Sequence, residues 1–155
     1  MKYKIKNLIQ AALDGDVNII AHQANCFNLM GAGVAGAIRK AFPEAAIADF
    51  VTKKGDPRKH GEFSKATVDG LTIYNLYGQY QPGRSTKYTY LESALDKMVF
   101  DLSSSGPEEV RIGIPKLGCG IAGGDWGIIS EIIEKTLVNF DYTVFVLDES
   151  EIPYE

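Results

Sequence analysis

Cysteine, histidine and tryptophan are scarce in this chain of 155 residues, which holds two, two and one of them. The cysteines, Cys26 and Cys119, are too few for the framework of a disulfide-stapled secreted domain. No His/Cys/Asp cluster has metal-ligand spacing, so neither a metal nor a cofactor is expected. No apolar run approaches the ~20 residues of a membrane span, and no basic-then-apolar leader opens the sequence. A reducing cytoplasm is the expected compartment, with no membrane partner. Both thiols then read as small packing groups rather than redox or nucleophilic ones. Positive charge is also in short supply: 16 Lys and Arg stand against 20 Asp and Glu, a net charge of −4. That balance argues against a nucleic-acid partner, whose binders carry a basic face. Lys53, Lys54, Arg58 and Lys59 read as a solvated face, and His60 as an exposed loop residue. Repeats and linkers are absent, and 45% hydrophobic residues suit one globular domain over 1–155, with a monomer favoured.

Glycine, by contrast, numbers 16 and falls densely in two places. Residues 19–36, Ile-Ile-Ala-His-Gln-Ala-Asn-Cys-Phe-Asn-Leu-Met-Gly-Ala-Gly-Val-Ala-Gly, run from an apolar stretch through polar residues and a glycine-rich turn into a helical pattern. Residues 112–126, Ile-Gly-Ile-Pro-Lys-Leu-Gly-Cys-Gly-Ile-Ala-Gly-Gly-Asp-Trp, are of the same kind. A strand that passes through glycines into a helix presents backbone N–H groups to an anion. Two such loops on one small chain predict a ligand with two phosphates or a diphosphate.

The rest of the chain alternates strand and helix patterns. Met1–Lys6 reads as a strand and Leu8–Leu13 as a short helix stopped by Asp14-Gly15-Asp16. Val17–Ala21 is a nearly continuous β-branched run, as in a strand covered on both faces. Val34–Phe42 suits a helix, and Pro43 starts another running to about Lys54. Phe63–Val68 and Leu71–Tyr77 form a hairpin about Asp69-Gly70. Tyr88–Leu102 is a helix, Val110–Ile114 a strand, Trp126–Phe140 a helix and Tyr142–Leu147 the last strand. The fold class is α/β, three layers with a mixed central sheet and the ligand at the carboxyl ends of the strands.

Gly31, Gly33 and Gly36 spell the dinucleotide fingerprint G-x-G-x-x-G, but Asn25 to Gly31 intervene where a strand should end. The acidic residue expected about twenty positions on also falls in a helical pattern, at Glu44 or Asp49. A nicotinamide oxidoreductase is therefore the lesser reading, and neither loop carries the Gly-Lys-Ser/Thr of a P-loop. His22-Gln-Ala-Asn25 followed by Gly31-Ala-Gly-Val-Ala-Gly36 resembles instead the strand end and first loop of the macro domain family. Ile114-Pro-Lys-Leu-Gly-Cys-Gly-Ile-Ala-Gly124 resembles that family's diphosphate loop, and element order agrees over essentially the whole chain.

The resemblance implies an α/β/α fold that holds ADP-ribose. The His22-x-x-Asn25-Cys26 junction and the Ala122-Gly-Gly-Asp-Trp126 ending look most like the branch that hydrolyses ADP-ribose 1''-phosphate. The branch that strips ADP-ribose from protein glutamate depends on a lysine and an aspartate, matched here by Gln79 or Tyr80 and by Ala122, so a lysyl–sugar intermediate is not expected. A non-catalytic ADP-ribose reader, and a hydrolase removing ADP-ribose from protein or nucleic acid, are the alternative functions.

The implied ligand contacts are Ala24, Met30, Gly31, Ala32, Gly33 and Val34 on the first loop and Leu117, Gly118, Cys119, Gly120, Ile121 and Ala122 on the second. Among Tyr74, Tyr77, Tyr80, Tyr88 and Tyr90, Tyr80 is the ring best placed to cover the distal ribose. Asn7 and Leu8 stand where the family reads the adenine amino group, through the amide oxygen of Asn7 or with looser selectivity. Phe145 or Leu147 flanks the adenine. Three residues carry the expected catalysis, and each has a structural reading beside it. His22 is a proton donor to the leaving sugar oxygen, a partner to the phosphate, or a satisfied core histidine. Asn25 holds the distal ribose or caps its own loop. Asp125 orients an attacking water or caps the helix that follows.

Overall fold

The computed structural model describes residues 1–153. Strands β1 (Tyr3–Ile5), β2 (Ile19–Gln23), β3 (Phe63–Val68), β4 (Leu71–Leu76), β5 (Arg111–Ile114) and β6 (Asp141–Val146) form one sheet in the order β1-β6-β5-β2-β4-β3. Every pair is parallel except β3–β4, so the sheet is mixed. That hairpin turns through Asp69 at φ 50° and Gly70 at φ 82°, the left-handed pair that a tight two-residue turn requires.

Helices α1 (Leu8–Leu13), α2 (Gly33–Ala41) and α3 (Pro43–Phe50) cover one face of the sheet; α4 (Tyr88–Ser105) and α5 (Trp126–Thr136) cover the other. On β2 the side chains alternate between the two cores. Ile19 and Ala21 pack with Leu95, Met98 and Ile129, while Ile20 packs with Ala11, Ile38 and Ala45. A central strand buried on both sides explains why its sequence reads as a continuous apolar run.

Three helix ends differ from the pattern in the sequence. Helix α3 stops at Phe50 rather than Lys54 because the Asn28 amide reaches across to the carbonyls of Phe50 and Thr52. Helix α5 stops at Thr136, and Phe140 N–H bonds to the Leu137 carbonyl in the turn that follows. Helix α4 runs on to Ser105, its last turns carrying Ser104 and Ser105 hydroxyls bonded back to the carbonyls of Phe100 and Asp101. Among the described residues no helix is long and apolar enough to cross a membrane, and no group of acidic, histidine or cysteine side chains has the arrangement of a metal site.

Strands β2 and β5 are hydrogen-bonded neighbours, with Ile19 opposite Ile112 and Ile20 opposite Gly113. The chain leaves β2 toward α2 on one face and leaves β5 toward α5 on the other. Adjacent parallel strands whose connections part to opposite faces open a crevice at their carboxyl ends. Both glycine-rich loops stand at that crevice.

Because Ile20 is fully buried at the centre of this frame, Ile20→Ala should cost about 2–5 kcal/mol. Urea unfolding would show a lower midpoint at unchanged slope. A loss of less than about 1 kcal/mol would mean that β2 is not the packed centre.

Candidate functional site

The crevice is lined by backbone. Amides of Gly31 and Ala32 on the first loop, and of Gly118, Gly120, Ile121 and Ala122 on the second, donate to no group among the described residues. Helix α2 begins at Gly33 behind an Ala32 N-cap whose side chain makes no capping bond, so its first turn also presents free N–H groups. A Cβ added at Gly31 or Gly120 would meet nothing within 4 Å, so the space above both loops is open. Free donors, open space and a helix N-terminus are the features that suit an anion.

One side chain ties the loops together. Gln23, the last residue of β2, donates through Nε2 to Gln79 Oε1 at 2.9 Å and to Thr86 Oγ1 at 2.9 Å. Thr86 Oγ1 in turn donates to the Gly118 carbonyl at 3.0 Å. Gly118 sits at φ 70°, and a Cβ there would stand 2.9 Å from Gln23 Oε1. Glycine at that position lets the second loop lie against the end of β2. Gln79 Nε2 closes the 79–86 loop by donating to the carbonyls of Gln81 and Gly83. The carboxyl ends of β2, β4 and β5 are thereby held as one unit.

Several expected site residues have other work. His22 is 1% exposed and lies under α3, not in the crevice. Its Nε2 is 2.6 Å from Asn75 Oδ1. The Asn75 amide nitrogen donates to the Ala45 carbonyl and to Ser64 Oγ, so its oxygen accepts and His22 Nε2–H donates. Burial holds the imidazole neutral, pushed down to about 4. The proton-donor role assigned to His22 is therefore corrected to that of a core histidine. Asn25 clasps its own loop, donating to the Leu29 carbonyl at 2.8 Å and accepting from Phe27 N–H at 2.9 Å. That clasp uses one N–H and one lone pair of the side-chain amide and leaves one of each over. Asn7 Oδ1 caps α1 by accepting from Ile9 and Gln10 N–H. An oxygen so occupied does not read an adenine amino group, which corrects that reading too.

Phe145 is 6% exposed and packed with Leu8 in the core beneath α1. Of the two candidate flanking groups, only Leu147, 72% exposed just past β6, is open to a ligand. Leu117, Met30 and Ala24 are buried under the loops they belong to. Tyr80 stands on the loop after β4, its hydroxyl donating to the Gly55 carbonyl at 2.6 Å and its ring edge-on to Phe27 at 5.0 Å. Asp125 is exposed at the end of the second loop and caps α5 through Ile128 N–H at 3.3 Å. The structural reading of Asp125 is thus what the geometry displays, and the cap uses one carboxylate oxygen and leaves the other free.

The sequence concealed a buried polar chain under the first loop. Asn75 Nδ2 donates to Ser64 Oγ, which lies 2.8 Å from Tyr77 OH, and Tyr77 OH donates to Asp49 at 2.6 Å. Lys59, read as part of a solvated face, is 8% exposed and sits with its ammonium 5.0 Å from the Tyr77 ring centre. It donates to the Cys26 carbonyl at 3.0 Å and to Asn28 Oδ1 at 2.5 Å. Asn28 holds φ 60°, a left-handed conformation that this grip maintains. His60, read as exposed, is half-buried and stacked on Tyr90 at 3.7 Å, near Tyr80. The only sequence signal for either was position: both follow Pro57 in a loop otherwise rich in solvated charge.

A family model described as Macro domain matches residues 21–133. An uncharacterised 17.5 kDa protein of Enterobacteria phage T4 is 38% identical over 131 residues, 79% of this chain and 82% of that one. The ADP-ribose glycohydrolase OARD1 of Bos taurus is 26% identical over 117 residues, 76% of this chain and 72% of that one. Among solved structures, a protein of unknown function from Bacteroides thetaiotaomicron is similar with a TM-score of 0.81 at 22% identity, covering 94% of this chain and 97% of that one. DarTG of Thermosipho africanus, solved in complex with ADP-ribose, is similar with a TM-score of 0.74 at 15% identity, covering 99% of this chain and 45% of that one. The structural likenesses, at such identities, establish the fold alone.

The buried histidine sets a pH dependence. The unfolded chain takes up a proton on His22 near 6.5, whereas the folded chain does so only near 4. Stability from this group is whole above pH 6.5 and falls as pH drops toward 4, because the unfolded state binds the extra proton. The His22 ring signals in NMR should stay flat from pH 8 to about 5, and His22→Asn should make the acid limb of the stability curve shallower. A titration near 6.5 would place the ring in water.

Proposed function

Because the chain belongs to the macro domain family, we propose that it binds ADP-ribose along the crevice and hydrolyses ADP-ribose 1''-phosphate to ADP-ribose and phosphate. The observation that carries the reading is the pair of loops with unpartnered amides on neighbouring strands β2 and β5. A diphosphate laid between them satisfies donors on both sides. The adenosine then extends toward β1 and β6, past Leu8 and the exposed Leu147, and the distal ribose toward the loop after β4, where Tyr80 stands.

In this account a water oxygen attacks phosphorus as the bond to the C1'' oxygen breaks, and the sugar oxygen departs with the electron pair and takes up a proton from solvent. The free oxygen of Asp125 accepts the proton of the water. Charge on the phosphoryl oxygens is met by the amides of Gly120, Ile121 and Ala122, already oriented and needing no rearrangement. His22 takes no part.

The name of the mammalian relative supports a second reading, release of ADP-ribose from a macromolecule. A lysyl–sugar route has no support in the residues present. The position read as matching the lysine is Gln79, whose amide is bonded to Gln23 and to two loop carbonyls, or Tyr80, whose hydroxyl is bonded to the Gly55 carbonyl.

Phosphate release from ADP-ribose 1''-phosphate, measured with and without chelator beside calorimetry of ADP-ribose, tests the proposal. Asp125→Asn keeps a helix cap and should lower turnover by about 10²–10⁴ while leaving ADP-ribose affinity within about twofold, a change of under ~0.5 kcal/mol. Gly31→Glu with Gly120→Glu should fold normally, since both positions face open space, and lose ADP-ribose binding. Binding without release would make the protein a reader or direct attention to ADP-ribosylated macromolecules. No binding by the unaltered protein would refute the assignment of the crevice.

A further inference from the structure

Four arginines occur in the chain, and two of them, Arg58 and Arg111, are paired with Asp56 and Glu109. The other two, Arg39 and Arg84, are exposed and enter none of the ion pairs or side-chain hydrogen bonds among the described residues, but Arg84 lies against the second glycine loop. Its Cζ and Nε lie 3.0 Å, and its Nη2 3.2 Å, from the point where a Cβ on Gly123 would be. Gly123 has φ 74° and no side chain, so the guanidinium rests against the backbone of the second glycine loop in space that any other residue would fill.

The loop that delivers Arg84 is built rather than loose. Gln79 and Thr86 form a β-bridge across its base. Gln79 Nε2 donates to the carbonyls of Gln81 and Gly83, and the Ser85 hydroxyl donates to Gln81 O. Thr86 is fixed to the second glycine loop twice, through its hydroxyl to Gly118 O at 3.0 Å and through its N–H to Ala122 O at 3.4 Å. Asp125, two residues beyond Gly123, is engaged in capping α5 and forms no pair with the guanidinium. An unpaired planar cation thus lies against a loop whose Gly120, Ile121 and Ala122 amides are also free.

We propose that Arg84 and these amides form an anion subsite for the group carried on C1'' of the distal ribose, and that this subsite selects ADP-ribose 1''-phosphate over ADP-ribose itself. The inference rests on the crevice reading above and adds to it a residue that decides specificity. Arg84 is on the loop after β4, on the opposite side of the crevice from β1 and β6, which is the ribose end in that reading. A guanidinium presents parallel N–H donors that match two phosphate oxygens, and a phosphate monoester offers charge where the unmodified ribose offers a neutral hydroxyl.

The test uses equilibrium binding in the Asp125→Asn background, with ADP-ribose by calorimetry and ADP-ribose 1''-phosphate by displacement of ADP-ribose. Arg84→Gln should weaken the 1''-phosphate by about 10- to 100-fold, the range of a hydrogen bond to a charged group, and change ADP-ribose by less than about twofold. Arg84→Lys, which keeps the charge and loses the fork, should fall between. In the active protein the same substitution should raise KM for ADP-ribose 1''-phosphate. Equal weakening of both ligands, or of neither, overturns the subsite while leaving the crevice reading in place. Absence of ADP-ribose binding before any substitution overturns the crevice reading and the subsite with it.

Discussion

The site depends on the side-chain amide of Gln23. It leaves the end of the central strand and reaches two residues of the loop after β4, and Thr86 passes the connection on to the loop after β5. The arrangement requires that nothing project from Gly118, whose Cβ would collide with the same amide. A few neutral hydrogen bonds, each contributing about 1 kcal/mol, therefore fix three chain segments that the sheet alone would leave as independent loops. Free amides are useful for binding only when their spacing is set before the ligand arrives, and this knot sets it.

A second layer works from below. The row of Asn75, Ser64, Tyr77 and Asp49 runs through the packing between α3 and the sheet, and Lys59 closes its upper end against the first loop. Burial lowers the Lys59 pKa and raises that of Asp49, and the charge of each partly offsets the shift of the other. Buried polar groups cost free energy unless bonded. Here their bonds are spent on holding Asn28 left-handed and the Cys26 carbonyl in place, which shapes the loop that leads into α2. His22 belongs to this layer, and its neutrality follows from it.

Much of the fold was legible in the sequence because hydrophobic period reports burial. The β-branched run around Ile19 and Ile20 marked a central strand, Asp69-Gly70 marked a hairpin, and the two glycine stretches marked the crevice at the carboxyl ends of β2 and β5. What could not be read was the direction of polar side chains. His22, Asn25 and Asn7 are polar residues beside a predicted ligand loop, and sequence places them near it without saying which way they point. On β2 the pleat sends His22 to the α3 side and Gln23 to the crevice side, so adjacent residues have opposite fates. Lys59 was misread for the converse reason: a cation within a charged loop looks solvated until a distant partner, Asn28, is folded onto it. Arg84 carried no signal at all, since its neighbour Gly123 is brought close only by the tied loops.

The measurement that tests the central claim most directly is an amide NMR titration of the protein with ADP-ribose. The account predicts that the largest shifts fall together on residues 30–34 and 117–124, with Arg84 and Tyr80 affected and the groove of about 520 Å³ between α4 and β3, lined by Glu62, Phe63 and Phe100, left silent. Shifts confined to that groove, or no saturable shifts in either glycine loop, would contradict it.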